Sequence, residues 1–244
     1  MMRKVWILAL FISAVFAEVR IPEPWAPGRW DSARNPARMQ NGFRLGLLWT
    51  EPMENLDYEV FGFAAEWGTE AYRFKAVFAS SFLDSIYRSE DFDLEGAFAV
   101  GRFSLGFGGN ADVQIVPGQE SWWEVSGRVG AFVKLPAHVE WGAWGLFLRE
   151  TEWNVFGTDF FWKESRYFRS GLSLRYRGWD GFGVVLLQEM RLGALELQGE
   201  VLFPGPKVGV GIAFRWNGLG ASFGMHRDAD YMNSKMAGLF YDVR

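Results

Sequence analysis

From Gly42 almost to the C-terminus, apolar and polar residues alternate with a period of two. Successive side chains of an extended strand point to opposite faces, so such a run has one apolar face and one polar or small face. In GFRLGLLW, Phe43, Leu45, Leu47 and Trp49 share one face and Arg44 and Gly46 the other. In AYRFKAVFASS, Tyr72, Phe74, Ala76 and Phe78 oppose Arg73, Lys75 and Val77. In DFDLEGAFAV, Phe92, Leu94, Gly96, Phe98 and Val100 oppose Asp91, Asp93 and Glu95. The same pattern recurs in YFRSGLSLRYR, ALELQGEVLF and KVGVGIAFRW. Helices do not fit: at 3.6 residues per turn, Arg73 and Lys75 would lie about 200° apart.

Turn signals separate the runs: Gly68-Thr69-Glu70, Gly101-Arg102, Pro117-Gly118, Leu135-Pro136, Gly178 to Gly181, Pro204-Gly205-Pro206 and Asn217-Gly218. Asn-Gly is the preferred pair for a type I′ hairpin turn. The short, even spacing predicts an all-β, antiparallel up-and-down meander. The predicted strands are 42–50, 57–67, 71–81, 91–100, 102–115, 121–134, 137–149, 152–162, 166–177, 181–189, 193–203, 207–216, 219–226 and 235–243. Bacterial transmembrane barrels have even strand counts. Fourteen is therefore expected, with twelve as the alternative count. The shortest turns fall on one side, the longer connections (50–56, 81–91 and 226–235) on the other, as in outer-membrane barrels.

Composition points the same way. Phe 23, Trp 13 and Tyr 7 bring aromatics to 18%, and Gly reaches 29 of 244 residues, about 12% against a usual ~7%. Mean hydropathy is nonetheless only -0.04. A transmembrane barrel combines these features because each strand has a lipid face and a wet face. Most of Trp49, Trp67, Trp122, Trp123, Trp141, Trp153, Trp162, Trp179 and Trp216 fall near predicted strand ends, as interfacial aromatic girdles would. The rival reading of these tryptophans is a sugar-stacking platform in a soluble, exported β-sandwich.

Residues 1–17, MMRKVWILALFISAVFA, read as a secretory signal peptide. Arg3 and Lys4 form the basic region, Val5 to Val15 the apolar core, and Val15 and Ala17 the small residues before a cut at Glu18. The apolar run is shorter than the ~20 residues of a spanning helix. Cleavage removes two basic residues and no acid, so the net charge moves from -4 to -6. Residues 18–40 hold four of the nine prolines without a regular period. They are expected to form an irregular plug or periplasmic tether ahead of a barrel over 41–244.

Ser32-Ala33-Arg34-Asn35-Pro36-Ala37, just before the first strand, resembles the Asn-Pro-Ala segment near the mature N-terminus of the long-chain fatty-acid transporter superfamily, which includes the type IX secretion barrels. The resemblance implies an outer-membrane barrel of about fourteen strands behind an irregular N-terminal segment. The chain is shorter than typical members, and its last residue is Arg244 rather than the Phe common in the C-terminal signal read by the barrel assembly machinery. KMAGLFYDVR otherwise looks like that signal, so the assembly machinery and outer-membrane lipid are the expected partners.

The polar strand faces hold the candidate site. Arg73, Lys75, Asp93, Glu95, Arg169, Arg175, Arg177, Glu196, Glu200 and Arg215 are expected to line the lumen, because a charge facing mid-depth lipid costs about 2–4 kcal/mol. Arg73 and Lys75 lie one strand from Asp93 and Glu95, so cross-strand pairing is expected. Arg169, Arg175 and Arg177 are the bases hardest to balance locally and are read as a positive strip. The opposing interpretation is a salt-bridged interior that fills the lumen.

Catalysis has little support. Cysteine is absent and histidine occurs only at His138 and His226. His226, with Asp228, Asp230, Ser222 and Ser234 nearby, makes a weak triad-like group in a predicted loop. His138 and Glu140 read as a polar pair on one strand face. Gly106, Gly108 and Gly109 do not precede a helix, so a nucleotide loop is not expected. Neither are a cofactor, a metal site or, at this net charge, nucleic acid. The expected function is passive passage or binding of a small solute, hydrophobic solutes included. The alternatives are a non-conducting scaffold in a secretion or envelope complex, and the soluble glycan-binding sandwich.

Overall fold

The computed structural model describes residues 23–27, 35–53, 57–83, 86–148, 154–178, 181–205, 207–227 and 233–243. The expected leader, residues 1–17, lies outside them. Fourteen strands follow a single 3-10 turn at Pro36–Arg38: β1 (Gly42–Met53), β2 (Tyr58–Gly68), β3 (Tyr72–Leu83), β4 (Tyr87–Val100), β5 (Phe103–Ile115), β6 (Trp122–Lys134), β7 (Val139–Phe147), β8 (Val155–Lys163), β9 (Phe168–Arg177), β10 (Gly181–Leu192), β11 (Leu195–Phe203), β12 (Lys207–Trp216), β13 (Leu219–Arg227) and β14 (Asn233–Val243). Each strand pairs with its sequence neighbours, and β1 pairs with β14, so the sheet closes. Every pairing is antiparallel. A closed meander has no free strand edge. This closure overturns the soluble β-sandwich, which needs two packed sheets.

The alternation has the expected consequence. On β3, Arg73 and Lys75 are buried inside, whereas Phe74 on the outside is 52% exposed. Exposed apolar side chains cover the outer face on every strand, among them Leu47, Phe63, Leu94, Phe107, Val129, Phe160, Leu186, Val210 and Leu239. A continuous apolar belt of this kind requires an apolar medium around it. Trp67, Trp123, Trp141, Trp162 and Trp216 lie outward near strand ends. Trp153 and Trp179 lie outside the described residues.

The strand count makes both barrel ends distinct. Turns between β2 and β3, β4 and β5, and the later even–odd pairs lie at the end where β1 begins and β14 finishes. Asn217 and Gly218 both have positive φ, 49° and 85°, the backbone that a type I′ turn requires. The expected long connection over 81–91 is not one. β3 runs to Leu83 and β4 starts at Tyr87, with Ser81 opposite Ser89. Above the apolar belt both faces of a strand become polar, so the alternation fades while the ladder continues. Ser80 donates to Glu90 across it. β4, β10 and β14 likewise extend beyond their expected ends, while β7 and β8 start later than expected, at Val139 and Val155.

Candidate functional site in the barrel lumen

Inside the barrel the wall is indented by glycines, and the N-terminal segment occupies the indentations. Gly106 and Gly130 face each other across β5 and β6, and Gly142 lies on β7. A Cβ on Gly106 would stand 2.6 Å from Pro36 O, and one on Gly130 would stand 3.0 Å from Pro36 Cδ. These positions therefore admit the Asn35-Pro36-Ala37 backbone only as glycine. Asn35 accepts a hydrogen bond from Ala37 N–H (3.0 Å) and caps the 3-10 turn. Its amide nitrogen donates to the wall carbonyl of Ala131 (3.0 Å) and, more weakly, to that of Ala143 (3.5 Å). Ser104 donates to Ala37 O at 2.8 Å.

A second seat holds Pro24 to Pro27. A Cβ on Gly46 would lie 2.9 Å from Pro24 Cβ, and one on Gly238 would lie 3.2 Å from Pro24 Cα. Ser222 donates to Pro24 O and Arg215 to Trp25 O. Trp25 and Ala26 are buried with Ala64, Ala213 and Phe240, and Val77 packs beside them. Trp25 also donates its indole N–H to Glu23 at 2.9 Å.

Charged side chains fill the space around these seats. Lys75 bridges Glu23 (2.6 Å) and Glu95 (3.1 Å). Arg128 reaches both Glu95 (2.6 Å) and Asp93. Arg44 pairs with Glu66 (3.6 Å) and Asp242 (3.3 Å), and Gln40 links it back to the N-terminal segment (2.6 Å). Arg215 meets Glu196 (3.3 Å) and Asp242, and Arg191 meets Glu196 (3.3 Å). The network leaves a cavity of about 60 Å³ bordered by Glu23, Trp25, Arg38, Arg44, Glu66, Lys75, Glu196 and Arg215. That volume takes water molecules and little else.

The ten residues expected along the lumen all lie on inward strand positions. Lys75 pairs with Glu95 across β3 and β4, but Arg73 instead donates to Asn41 at 2.9 Å. Arg169 proves to be balanced: Glu140 and Glu189 (3.9 Å) both meet it, and its guanidinium lies 5.0 Å from the Phe161 ring. Arg175 is among the most deeply buried side chains, 5.9 Å from the Trp144 ring, with Arg177 buried one turn of the pleat higher. Glu200 is buried on β11, on the same inward face as Glu196. The His138–Glu140 pair does not form. His138 sits in a turn at φ 61°, and Glu140 is taken by Arg169. The triad-like group fails on its serines. Ser222 donates to Pro24 O and Ser234 to Pro52 O, while Asp228 and Asp230 lie outside the described residues.

Sequence reasoning missed Asn35, Glu23, Trp25, Glu66 and Asp242 as interior partners. The signal for the seats was present in the inward glycines of neighbouring strands. A barrel interior made only of side chains would not need three of them together. Among the described residues, no group of three or more His, Asp or Glu side chains is arranged to hold a metal ion.

No family model matches the chain, and no curated protein matches it. Among solved structures, the CymD monoaromatic hydrocarbon channel superposes with a TM-score of 0.61 at 12% identity, over 95% of this chain and 96% of that one. By fold, this chain is similar to that channel. A triple mutant of the Rhodopseudomonas blastica porin also matches, with a TM-score of 0.47 at 12% identity, over 83% of this chain and 99% of the porin.

Proposed function

We propose that this chain is an outer-membrane barrel for the passive passage of a small solute, with its lumen closed at rest by residues 23–27 and 35–40. The seated segment carries the reading. One contact region lies on glycines and ladder carbonyls, and the other adds an ion pair and a single small apolar cluster around Trp25. Such contacts are exchangeable for water in a way that a packed core is not. The outer apolar belt supports the membrane location, because only lipid covers so much exposed Phe, Leu and Val on a closed barrel. The fold shared with a hydrocarbon channel supports an apolar or amphipathic solute. Asn35-Pro36-Ala37, the residues that resemble the fatty-acid transporter superfamily, lie at one seat, which supports membership of that superfamily.

The test is single-channel conductance in planar bilayers, comparing the mature chain with a variant lacking residues 18–40. The expected result is a closed or rarely opening mature protein and a steadily conducting variant. A second reading, the non-conducting scaffold, is favoured by the two ion-pair groups inside the barrel, one from Asp93 to Glu23 and one from Glu66 to Glu196. Two silent proteins, both folded and inserted, would select it.

A further inference from the structure

At the end of the barrel where both termini lie, the outer face carries a polar row beside the apolar belt. Trp162 on β8, Ser170 on β9 and Gln188 on β10 are direct cross-strand neighbours. All three point outward, since their alternates Phe161, Arg169 and Glu189 point into the barrel. The adjacent row, Phe160, Leu172 and Leu186, belongs to the apolar belt. Glu164, in the turn between β8 and β9, folds its carboxylate up onto the polar row. It accepts from the Trp162 indole N–H (3.1 Å) and from the Ser170 hydroxyl. Ser170 Oγ is also 2.8 Å from the Gln188 side-chain amide.

Both partners of this carboxylate are neutral. Two residues on, Arg166 lies over the Tyr167 ring, 4.6 Å from its centre, and donates to the Tyr167 hydroxyl. Among the described residues, Glu164 has no basic partner and Arg166 no acidic one. The turn itself is fixed: Ser165 accepts from the N–H groups of Tyr167 and Phe168, both at 3.1 Å. One short turn beside the apolar belt thus carries a carboxylate and, two residues on, a guanidinium. Trp162, Tyr167 and Phe168, all exposed, surround them. This turn is at the end of the barrel where both chain termini lie, which in an outer membrane is the periplasmic end. The leaflet there is phospholipid.

We infer that the Trp162–Glu164–Arg166–Ser170–Gln188 patch binds the headgroup of a zwitterionic phospholipid bearing a primary amine, phosphatidylethanolamine. The inference rests on the membrane reading given above. Glu164 and the Gln188 carbonyl oxygen receive the ammonium N–H groups, and Arg166 receives the phosphate. The aromatic rings border the glycerol region, where Trp and Tyr are favoured. A lipid lacking the ammonium leaves the Glu164 carboxylate without a countercharge at the edge of hydrocarbon.

The test is native mass spectrometry of the detergent-solubilised mature chain, after exposure to vesicles of phosphatidylethanolamine and phosphatidylglycerol in equal amounts. Retained phosphatidylethanolamine should exceed phosphatidylglycerol. Glu164→Gln and Arg166→Gln should each lower it about tenfold, as loss of one charge-assisted contact of ~1.4 kcal/mol would. Glu164→Asp should keep most of it. Equal retention of the two lipids, or retention unchanged in Glu164→Gln, overturns the inference. So does a dimer that Glu164→Gln dissociates with no change in lipid, since the patch would then join two copies. Each protein is first checked for a heat-dependent gel shift. A folded, inserted barrel without lipid preference removes this inference alone. A wild-type chain that does not insert removes the membrane reading itself.

Discussion

Arg128 balances two acids at once, and no other base reaches Asp93 among the ion pairs described. Lys75 would remain for Glu95, but it is already shared with Glu23. Arg128→Ala should therefore destabilise the barrel by about 3 kcal/mol, the scale for removing one side of a buried pair. The midpoint of urea unfolding in detergent measures it, and Arg128→Lys should recover part of the loss. Gly106→Val tests a different dependence. Its added atoms would occupy the space of Pro36 and Ala37, and overpacking costs about 1–3 kcal/mol. Because the segment is held by fewer contacts than the wall, the segment should yield. The expected outcome is a barrel with its usual gel shift, whose residues before Gln40 are newly cut by added protease. Phe74→Arg works from outside. It places a charge in the belt at a cost of about 2–4 kcal/mol, so membrane assembly should fail in a fractionation assay. Facing was legible at this scale because two media, lipid and lumen, sort every residue by polarity. Pairing was not, beyond nearest strands. Arg128 meets Asp93 and Glu95 from two strands away, and Glu23 and Asp242 come from opposite ends of the chain. Such contacts depend on curvature and closure, which a local pattern does not encode.

Strand number and order were readable because each hairpin announces itself twice, in the period-two run and in the turn residues. Asn217-Gly218 needed only its two residues to be placed. The strand ends were less readable where the membrane stops imposing a pattern. Ser80, Ser81, Ser89 and Glu90 look like loop residues, yet they continue the β3–β4 ladder. The difference is testable by insertion. A short epitope placed after Gly118, an exposed turn glycine at φ 79°, should leave the gel shift unchanged. The same epitope placed after Ser89 should prevent folding, since it would break the register between Ser81 and Ser89. If both are tolerated, the connection is a loop after all and β4 begins lower. The N-terminal segment was legible only as irregular. Its prolines exclude regular structure, but its seat is written in the glycines of β1, β5, β6, β7, β13 and β14, far away in sequence.

At the scale of the molecule, closure makes an interior with a nearly balanced charge. Arg44, Lys75, Arg128, Arg169 and Arg215 each have an acid within reach on the wall itself: Glu66 or Asp242, Glu95, Asp93, Glu140, and Glu196 or Asp242. Lys75 also uses an acid from the N-terminal segment, Glu23. Removing residues 18–40 would take away one interior acid, Glu23, and one interior base, Arg38, of the described residues and leave the wall pairs intact. A narrow path lined by paired charges attracts neither sign of ion strongly, because the long-range field of each pair largely cancels. The truncated barrel should conduct with a potassium-to-chloride permeability ratio close to one, read from the reversal potential across a salt gradient. Lys75→Glu in the same truncated background removes one base and adds one acid beside Glu95, so the ratio should move clearly toward potassium. High salt should reduce that shift, since screening shortens the reach of the new charge. A truncated barrel already strongly anion-selective would mean that Arg175 and Arg177 dominate the path, and the positive strip, rather than the paired wall, would set what passes.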